Sequence, residues 1–220
     1  MAYDRIYYYE KLVDGRYKRQ LLGEIQTDFN MSRVIDGTKD SMQVLVNSYS
    51  RNALVPNTIV YHANSGTWWV AKKDNVKRND NESGFYYNHS LTLLGAIDLL
   101  ANRDLTDSGY NANDYTIETF IDKLIKLSTF EFNNKNALLY FNGYRIVTHN
   151  NIDLNKKVDY VKSYENYTLL TALRDFLNGY NCEIKLSFST RTMIGSNYLD
   201  YANLEIIPRT GRLDLTPIDI

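Results

Sequence analysis

Two stretches decide the fold: residues 58–78 read TIVYHANSGTWWVAKKDNVKR, and residues 85–107 read FYYNHSLTLLGAIDLLANRDLTD. In the first, two short apolar runs flank Asn64-Ser65-Gly66, which has the composition of a turn between antiparallel strands. In the second, aromatic residues and a histidine lead into a leucine-rich run, which predicts a strand that starts at Phe85. The interval 74–84 is almost wholly polar, so we expect an exposed loop there.

The upstream sequence predicts further strands. Residues 6–12 and 18–25 suit a hairpin, since Asp14-Gly15 between them supplies a turn that tolerates positive φ. Met42, Val44 and Val46 alternate with polar neighbours, as in a strand with one buried face. Together with the two strands within 58–73, they predict an antiparallel meander over residues 40–73.

The apolar period changes from two to about 3.6 downstream, which predicts two helices. The first helix carries one apolar face, and Asp114 or Thr116 is available as its N-cap. The second helix is followed by Gly179, where a left-handed C-terminal cap is expected. The residues that form the two apolar faces are Ile117, Phe120, Ile121, Leu124 and Ile125, and then Leu169, Leu170, Leu173, Phe176 and Leu177.

Strands are predicted around these helices at residues 137–141, 144–148, 182–188 and 204–207, the first two joined by an Asn142-Gly143 hairpin turn. Leu213, Leu215 and Ile218 form a fresh apolar segment after Gly211. The predicted fold class is therefore α+β and β-rich. A β-barrel-like domain of residues 1–112 plus 208–220 is interrupted by an inserted α+β domain of residues 113–207 that carries the two short helices.

Composition limits the classes of partner. The 220 residues carry a formal net charge of −1, which gives no electrostatic basis for binding nucleic acid or an anionic membrane. No apolar run approaches the roughly 18 residues of a membrane span, and we expect synthesis in the cytoplasm. The 19 tyrosines favour strand faces and wet interfaces. Cys182, the single cysteine, is interpreted as a small core or strand residue.

Several residues have side chains that could bind a metal or act in catalysis. The histidines His62, His89 and His149 lie apart in sequence without metal-ligand spacing, and we interpret them as hydrogen-bonded strand residues. The residues Asp80-Asn81-Glu82 lack the order of a calcium loop. An acidic run would suit glycoside hydrolysis, but the dipole at a helix start also favours such residues. The run comprises Asp98, Asp104, Asp107, Asp114, Glu118 and Asp122. We predict no catalytic residue, no metal and no cofactor.

The adjacent residues Trp68 and Trp69 allow two interpretations. A sugar-stacking platform would need both rings on one face, whereas neighbouring strand residues point to opposite faces. We therefore expect one tryptophan in a core and the other at a subunit contact or in solvent, with the platform as the alternative.

The order of these residues resembles the N-terminal region of the tail hub proteins of long-tailed bacteriophages. That family carries a Trp-x-Val strand followed by an Asp and a Val, and then an aromatic strand whose histidine leads into a Leu-rich segment. The matching residues here are Trp68, Val70, Asp74 and Val76, and then Tyr86, Tyr87, His89, Leu91 and Leu93. Many members continue with Glu-Pro-Thr-Lys-Leu-Leu-Glu, where this chain has LGAIDLL over residues 94–100.

The resemblance implies a structural part of the virion and no enzyme. It implies a homotrimeric hub ring that continues or closes the tail tube, in contact with the distal tail or tail-tube protein, the tape measure and a downstream fibre or lysin. The resemblance makes Trp68, Trp69, Tyr86, Tyr87 and His89 candidate structural or interface residues. A carbohydrate- or receptor-binding tail module is the alternative, and a cell-wall hydrolase that uses Glu118 or Asp122 is a distant third.

Overall fold

The computed structural model describes residues 4–26, 30–32, 40–81, 84–102, 105, 115–128, 144–149, 152–159, 164 and 166–209. Within these ranges the strands are β1 (Arg5–Lys11), β2 (Tyr17–Ile25), β3 (Asn30–Ser32), β4 (Ser41–Ser48), β5 (Ile59–His62), β6 (Thr67–Asn81), β7 (Gly84–Gly95), β8 (Tyr144–Thr148), β9 (Cys182–Met193) and β10 (Ser196–Pro208). A 3-10 helix (Ala96–Asn102) follows β7, and the α-helices are α1 (Ile117–Leu127) and α2 (Leu169–Asn178). The predicted β-rich class is confirmed.

Six of the described strands close into a ring of antiparallel pairs. The strand β1 lies between β2 and β5, and the circle continues from β5 through β6 and β7 to β4. It closes where Glu24 and Ile25 of β2 pair with Asn47 and Val46 of β4. Gly23 permits this contact, because a Cβ at that position would lie 1.9 Å from the carbonyl oxygen of Asn47.

The predicted strands of the first 73 residues are confirmed, but their predicted order is wrong. Gly15 and Gly66 have φ of 87° and 65°, as their turns require. The meander predicted over residues 40–73 fails because β4 pairs with β7, so that β7 and β6 lie between β4 and β5. Alternation identifies a strand and one buried face, and it does not identify the neighbouring strand.

The loop predicted at residues 74–84 is also wrong. The strand β6 continues to Asn81 and pairs with β7 up to Asn81 and Gly84, while residues 82 and 83 lie outside the described ranges. Backbone hydrogen bonds to β7 keep this polar sequence extended. The buried start of β6, at residues 69–71, holds the two strands together, so the polar end of the hairpin needs little side-chain burial of its own. We call residues 76–81 and 84–87 the arm.

The remaining strands and the helices form a layer beside the ring. The hairpin of β9 and β10 carries β8 in parallel pairing with β10, and Tyr198 of β10 pairs with Lys18 of β2. Of the two candidate N-caps of α1, Thr116 takes the position, and its hydroxyl accepts a hydrogen bond from the Thr119 amide at 3.3 Å. The helix prediction is confirmed for both α1 and α2.

Gly179 does not form the predicted left-handed cap. Its φ is −61°, and the left-handed residue is Asn181, with φ of 54°. The amides of Gly179, Tyr180 and Asn181 each donate to a carbonyl three residues earlier, at 3.0 to 3.2 Å. The chain therefore makes one further, tighter turn before it leaves the helix.

Two hydrophobic cores lie on the two faces of the ring wall. The inner core is formed by ring strands and includes Ile6, Val60 and Trp69. The outer core joins the outward-facing Tyr9, Ile59 and Val70 of the ring to the helices and to β9 and β10. Strands of the ring thus contribute alternate residues to both cores. The described residues contain no helix long and apolar enough to cross a membrane.

The strand predicted at 137–141, its Asn142-Gly143 turn and the C-terminal segment 212–220 lie outside the described residues. The boundaries of the predicted domains, 1–112 plus 208–220 and 113–207, therefore stay a prediction.

Candidate functional site

The two tryptophans leave opposite faces of β6, as alternation predicts. Trp69 is 2% exposed in the inner core, and its indole N–H donates to the Thr67 hydroxyl at 2.8 Å. Trp68 lies against the outer core, with ring centroids 5.6 Å from Tyr9, 4.7 Å from Tyr61 and 5.2 Å from Phe188. Trp68 is half-buried by these neighbours, and the expected contact with a subunit stays a prediction. The pair is not a sugar-stacking platform.

His89 forms a buried ion pair with Asp74 across the β6–β7 hairpin. The Nδ1 atom of His89 lies 2.7 Å from Oδ2 of Asp74, and both side chains are 0% exposed. Its Nε2 atom lies 2.8 Å from the carbonyl oxygen of Ser50, in the segment between β4 and β5. The same Oδ2 accepts the Leu54 amide at 2.8 Å. These contacts fasten the connecting segment to the hairpin.

The environment of His89 favours its charged form. Burial lowers the pKa of His89, but the hydrogen bonds to Asp74 and to the Ser50 carbonyl, together with the charge of Asp74, outweigh burial and leave the pKa raised. The other oxygen of Asp74, Oδ1, is buried without a hydrogen-bond partner in the described part of the chain. The carboxylate is therefore compensated mainly by the imidazolium of His89.

The other two histidines are also hydrogen-bonded. His62 is 2% exposed near the opposite end of the ring, with Nε2 2.6 Å from Asp4 and Nδ1 2.8 Å from the Ser65 hydroxyl. His149 follows β8, and its Nε2 lies 3.4 Å from a carboxylate oxygen of Glu205. The interpretation as hydrogen-bonded strand residues is confirmed for His62 and His89, whereas His149 follows its strand and makes the longer contact to Glu205. The described residues hold no group of three or more His, Cys, Asp and Glu that suits a metal.

The arm presents an aromatic and cationic surface. Phe85 is 52% exposed, its ring centroid lies 6.0 Å from that of Tyr87, and the Arg78 guanidinium lies 4.9 Å over it. Tyr86 is half-buried. Tyr49 is 89% exposed, directly after Ser48, which pairs with Tyr87. We call Tyr49, Arg78, Phe85 and Tyr87 the arm patch.

Among the described residues, the acidic run is divided between two helices. Asp98 lies in the 3-10 helix, whereas Glu118 and Asp122 lie in α1, and Asp104, Asp107 and Asp114 fall outside the described ranges. Asp122 accepts a hydrogen bond from the Tyr144 hydroxyl. Burial, this hydrogen bond and the nearby carboxylates raise the pKa of Tyr144. This hydrogen bond joins α1 to β8, which gives Asp122 a structural role.

Cys182 starts β9 in the outer core, as interpreted from the sequence. Burial raises the pKa of its thiol, although Arg209 opposes this. Asp80 and Asn81 lie in β6 and belong to the arm, whereas Glu82 lies outside the described residues.

Sequence reasoning missed the pairing of Asp74 with His89 and the exposure of Phe85 and Tyr49. Both depend on the β6–β7 register, in which Val76 faces His89 and Asp80 faces Phe85. Treating 74–84 as a loop hid that register. The sequence did contain an indication of this pair, because a histidine in an apolar strand needs a polar partner if it is buried, and Asp74 is an acidic residue nearby in the chain.

No protein-family model matches the sequence, and no curated protein matches it. Solved structures do match its fold. The prophage tail protein gp18 from Listeria monocytogenes EGD-e superposes with a TM-score of 0.53 at 13% identity, over 93% of this chain and 50% of that chain. The 43 kDa tail protein of prophage MuSo2 from Shewanella oneidensis superposes with a TM-score of 0.50 at 9% identity, over 92% of this chain and 52% of that chain.

These similarities extend along nearly the whole of this chain, so they concern both the ring and the helical layer. At 13% and 9% identity they establish the fold and leave the activity open. The chain spans about half the length of the tail proteins it matches. The chain shares its fold with solved prophage tail proteins.

Proposed function

We propose that this chain is a structural protein of a bacteriophage tail tip, a baseplate hub whose homotrimer continues or closes the tail tube. The observation that carries the proposal is the superposition of 93% and 92% of the chain on two prophage tail proteins. Its partners would be the distal tail or tail-tube protein, the tape measure and a downstream fibre or lysin. Its location would be the virion, at the tail tip.

The shape of the described chain supports an assembly role. The closed ring leaves few strand edges in its own path, whereas β9 has β10 as its one described neighbour and the arm extends past the end of β4. Unpaired strand edges are sites at which further chains add. A structural role also accounts for buried polar residues that hold segments in place, such as His89 and His62, without assigning them to catalysis.

The inserted arrangement of domains is part of the proposal. Residues 113–207 would interrupt a hub domain formed by 1–112 and 208–220. The pairing of Tyr198 with Lys18 supports close association of the two parts. Deletion of residues 212–220 should then promote aggregation while leaving α1 and α2 packed, which hydrogen exchange of the helices would report.

The test of the hub assignment is assembly. Light scattering and electron microscopy of the purified chain, alone and with its adjoining tail protein, should reveal trimeric rings. A monomer at all concentrations that also forms no ring with the adjoining tail protein would contradict the proposal. Assays on purified cell wall, with Glu118→Gln and Asp122→Asn as variants, test the hydrolase alternative at the same time.

The arm patch favours a carbohydrate- or receptor-binding module as the second candidate. Exposed aromatic rings beside a guanidinium suit sugar stacking and charged groups. If the chain binds host polysaccharide, Phe85→Ala and Tyr49→Ala should each weaken binding about tenfold, the loss of one aromatic contact. Ile194→Ser is the matched control, since Ile194 is exposed at a different hairpin tip. Unchanged binding in both aromatic variants would remove this candidate.

A further inference from the structure

The segment that joins β4 to β5, residues 49–58, crosses the inner face of the β6–β7 hairpin. Backbone hydrogen bonds join Asn57 and Thr58 at its end to Ala71 of β6. Side chains fasten the rest of the segment twice, by the Ser50 carbonyl to Nε2 of His89 at 2.8 Å and by the Leu54 amide to Oδ2 of Asp74 at 2.8 Å. Between these points the chain turns so that the Leu54 side chain enters the inner core, where it is 8% exposed. Both fastenings therefore depend on one buried pair of side chains.

The geometry favours a doubly protonated His89. Both ring nitrogens face acceptors within 2.8 Å, the carboxylate of Asp74 and the carbonyl of Ser50. A neutral imidazole has one N–H, so either acceptor would then face a lone pair. Oδ1 of Asp74 already has no partner among the described residues. Loss of the His89 proton would remove one of the two hydrogen bonds of the ring and the positive charge that compensates the buried carboxylate.

We propose that Asp74 and His89 form a proton-operated latch that holds residues 49–56 on the ring, and that loss of one proton releases these residues and uncovers the inner core beneath Leu54. The released segment carries exposed Tyr49, Arg51 and Val55, so its position also sets the shape of the surface beside the arm. The latch acts at the end of the ring from which the arm projects.

Other charged groups on the elements packed against His89 do not compete with Asp74. The strand β4 has no ionisable residue, and β7 has none besides its two tyrosines and His89. The remaining charged residues of β6 are exposed, as is Arg51 of the segment. Those of β6 are Lys72, Lys73, Lys77, Arg78 and Asp80. The titration of His89 is thus governed by one carboxylate and one carbonyl.

The direction of the pH effect follows from the raised pKa of His89. The folded latch binds its proton more tightly than the released segment does, so its stabilisation is complete below about pH 6.5, the ordinary pKa of histidine. The stabilisation is lost as the pH rises from there through the pKa of the closed latch. Within that window one proton is released per opening, so the opening equilibrium should increase about tenfold per pH unit.

Hydrogen exchange of the full chain between about pH 6 and pH 9 tests this directly, with rates divided by the intrinsic amide rate at each pH. We expect the protection of the Leu54 amide to fall across the window with a slope of up to tenfold per pH unit, while amides paired between β4 and β7 keep theirs. His62→Gln is the control for a buried histidine and should keep the same dependence. Constant protection of Leu54 over the whole range would overturn the latch.

Two further measurements separate a latch from a merely structural contact. Nitrogen-15 spectra of the wild-type His89 ring should show both nitrogens protonated at about pH 6.5 to 7, and a neutral tautomer there would refute the proposal. In Asp74→Asn the carboxylate that raises the pKa of His89 is absent, so the pH dependence of Leu54 protection above about pH 6.5 should disappear. Should that variant not fold, the wild-type ring spectrum and exchange data decide alone.

Discussion

At Trp68 and Trp69, one strand supplies a large side chain to each of two cores. Trp69→Ala would leave a cavity in the inner core, where the ring is 2% exposed, and should lower the free energy of unfolding by about 3–5 kcal/mol. Trp68→Ala removes a half-buried ring and should cost clearly less. Urea denaturation followed by far-UV circular dichroism gives both values. An equal or larger loss for Trp68 would contradict the assignment of the two faces.

Ile194 is an exposed β-branched residue with a strained backbone conformation. It is 103% exposed at the tip of the β9–β10 hairpin with φ of 47°, a left-handed conformation that β-branched residues rarely adopt. Ile194→Asn should raise the free energy of unfolding by about 1 kcal/mol, because Asn tolerates this region. Val13→Asn is the control, since Val13 is 110% exposed without positive φ and should change little. No gain at Ile194, or an equal gain at Val13, would refute strain as the cause.

Residue-scale predictions from sequence succeeded where a local rule decides the outcome. Thr116 caps α1 because a hydroxyl there reaches a free amide, and Cys182 is buried because it starts an alternating strand. The surroundings of Trp68 could not be predicted from local sequence, since its neighbour Phe188 is 120 residues away in the chain. Gly179 failed as a cap because the chain kept winding to Asn181, which has the same left-handed tolerance.

At the scale of elements, ring closure depends on the end of β2. The two pairs between β2 and β4 follow directly on Gly23, whose missing side chain leaves room for the Asn47 carbonyl. Gly23→Ala places a methyl group against backbone and should cost about 3 kcal/mol, at the upper end for overpacking. Urea denaturation monitored by Trp fluorescence measures this loss. Gly195→Asn is the control, because nothing lies within 4 Å of a Cβ there and Asn tolerates its φ of 69°. Similar stability of the two variants would mean that closure does not depend on Gly23.

Strand lengths were the weakest element-scale prediction. The sequence 74–84 buries almost nothing, and its hydrophobicity alone is that of a loop. Its extended structure comes from the ladder with β7, which carries the apolar residues of the pair. Strand formation was thus determined by the partner and not by local composition, which is the usual way in which β-propensity misleads.

At the scale of the whole molecule, the β-rich α+β class was predictable because strand and helix periods differ along the chain. The closure of the ring was not, since it requires β4 to skip β5 and pair with both β7 and β2. Such pairings join segments far apart in sequence, and alternation is the same for every possible partner. The family resemblance suggested a barrel-like part, and the pairing pattern now shows which strands form the closed sheet.

The inner and outer cores share the strands of the ring wall, so we expect the whole molecule to unfold together. Tyr9, Ile59 and Val70 belong to ring strands yet pack in the outer core with the helices, so neither the ring nor the helical layer can lose its packing alone. We expect a single cooperative transition in urea, with Trp fluorescence, dominated by the ring, and far-UV circular dichroism, sensitive to α1 and α2, giving one midpoint. Phe188→Ala, which removes a helical-layer contact to Trp68, should lower both midpoints together, whereas an exposed substitution such as Lys185→Ala should move neither. Separate midpoints, or a shift in one signal alone, would mean that the ring and the helical layer fold as two independent domains. The proposed insertion of one domain into the other would then lose the shared packing that supports it.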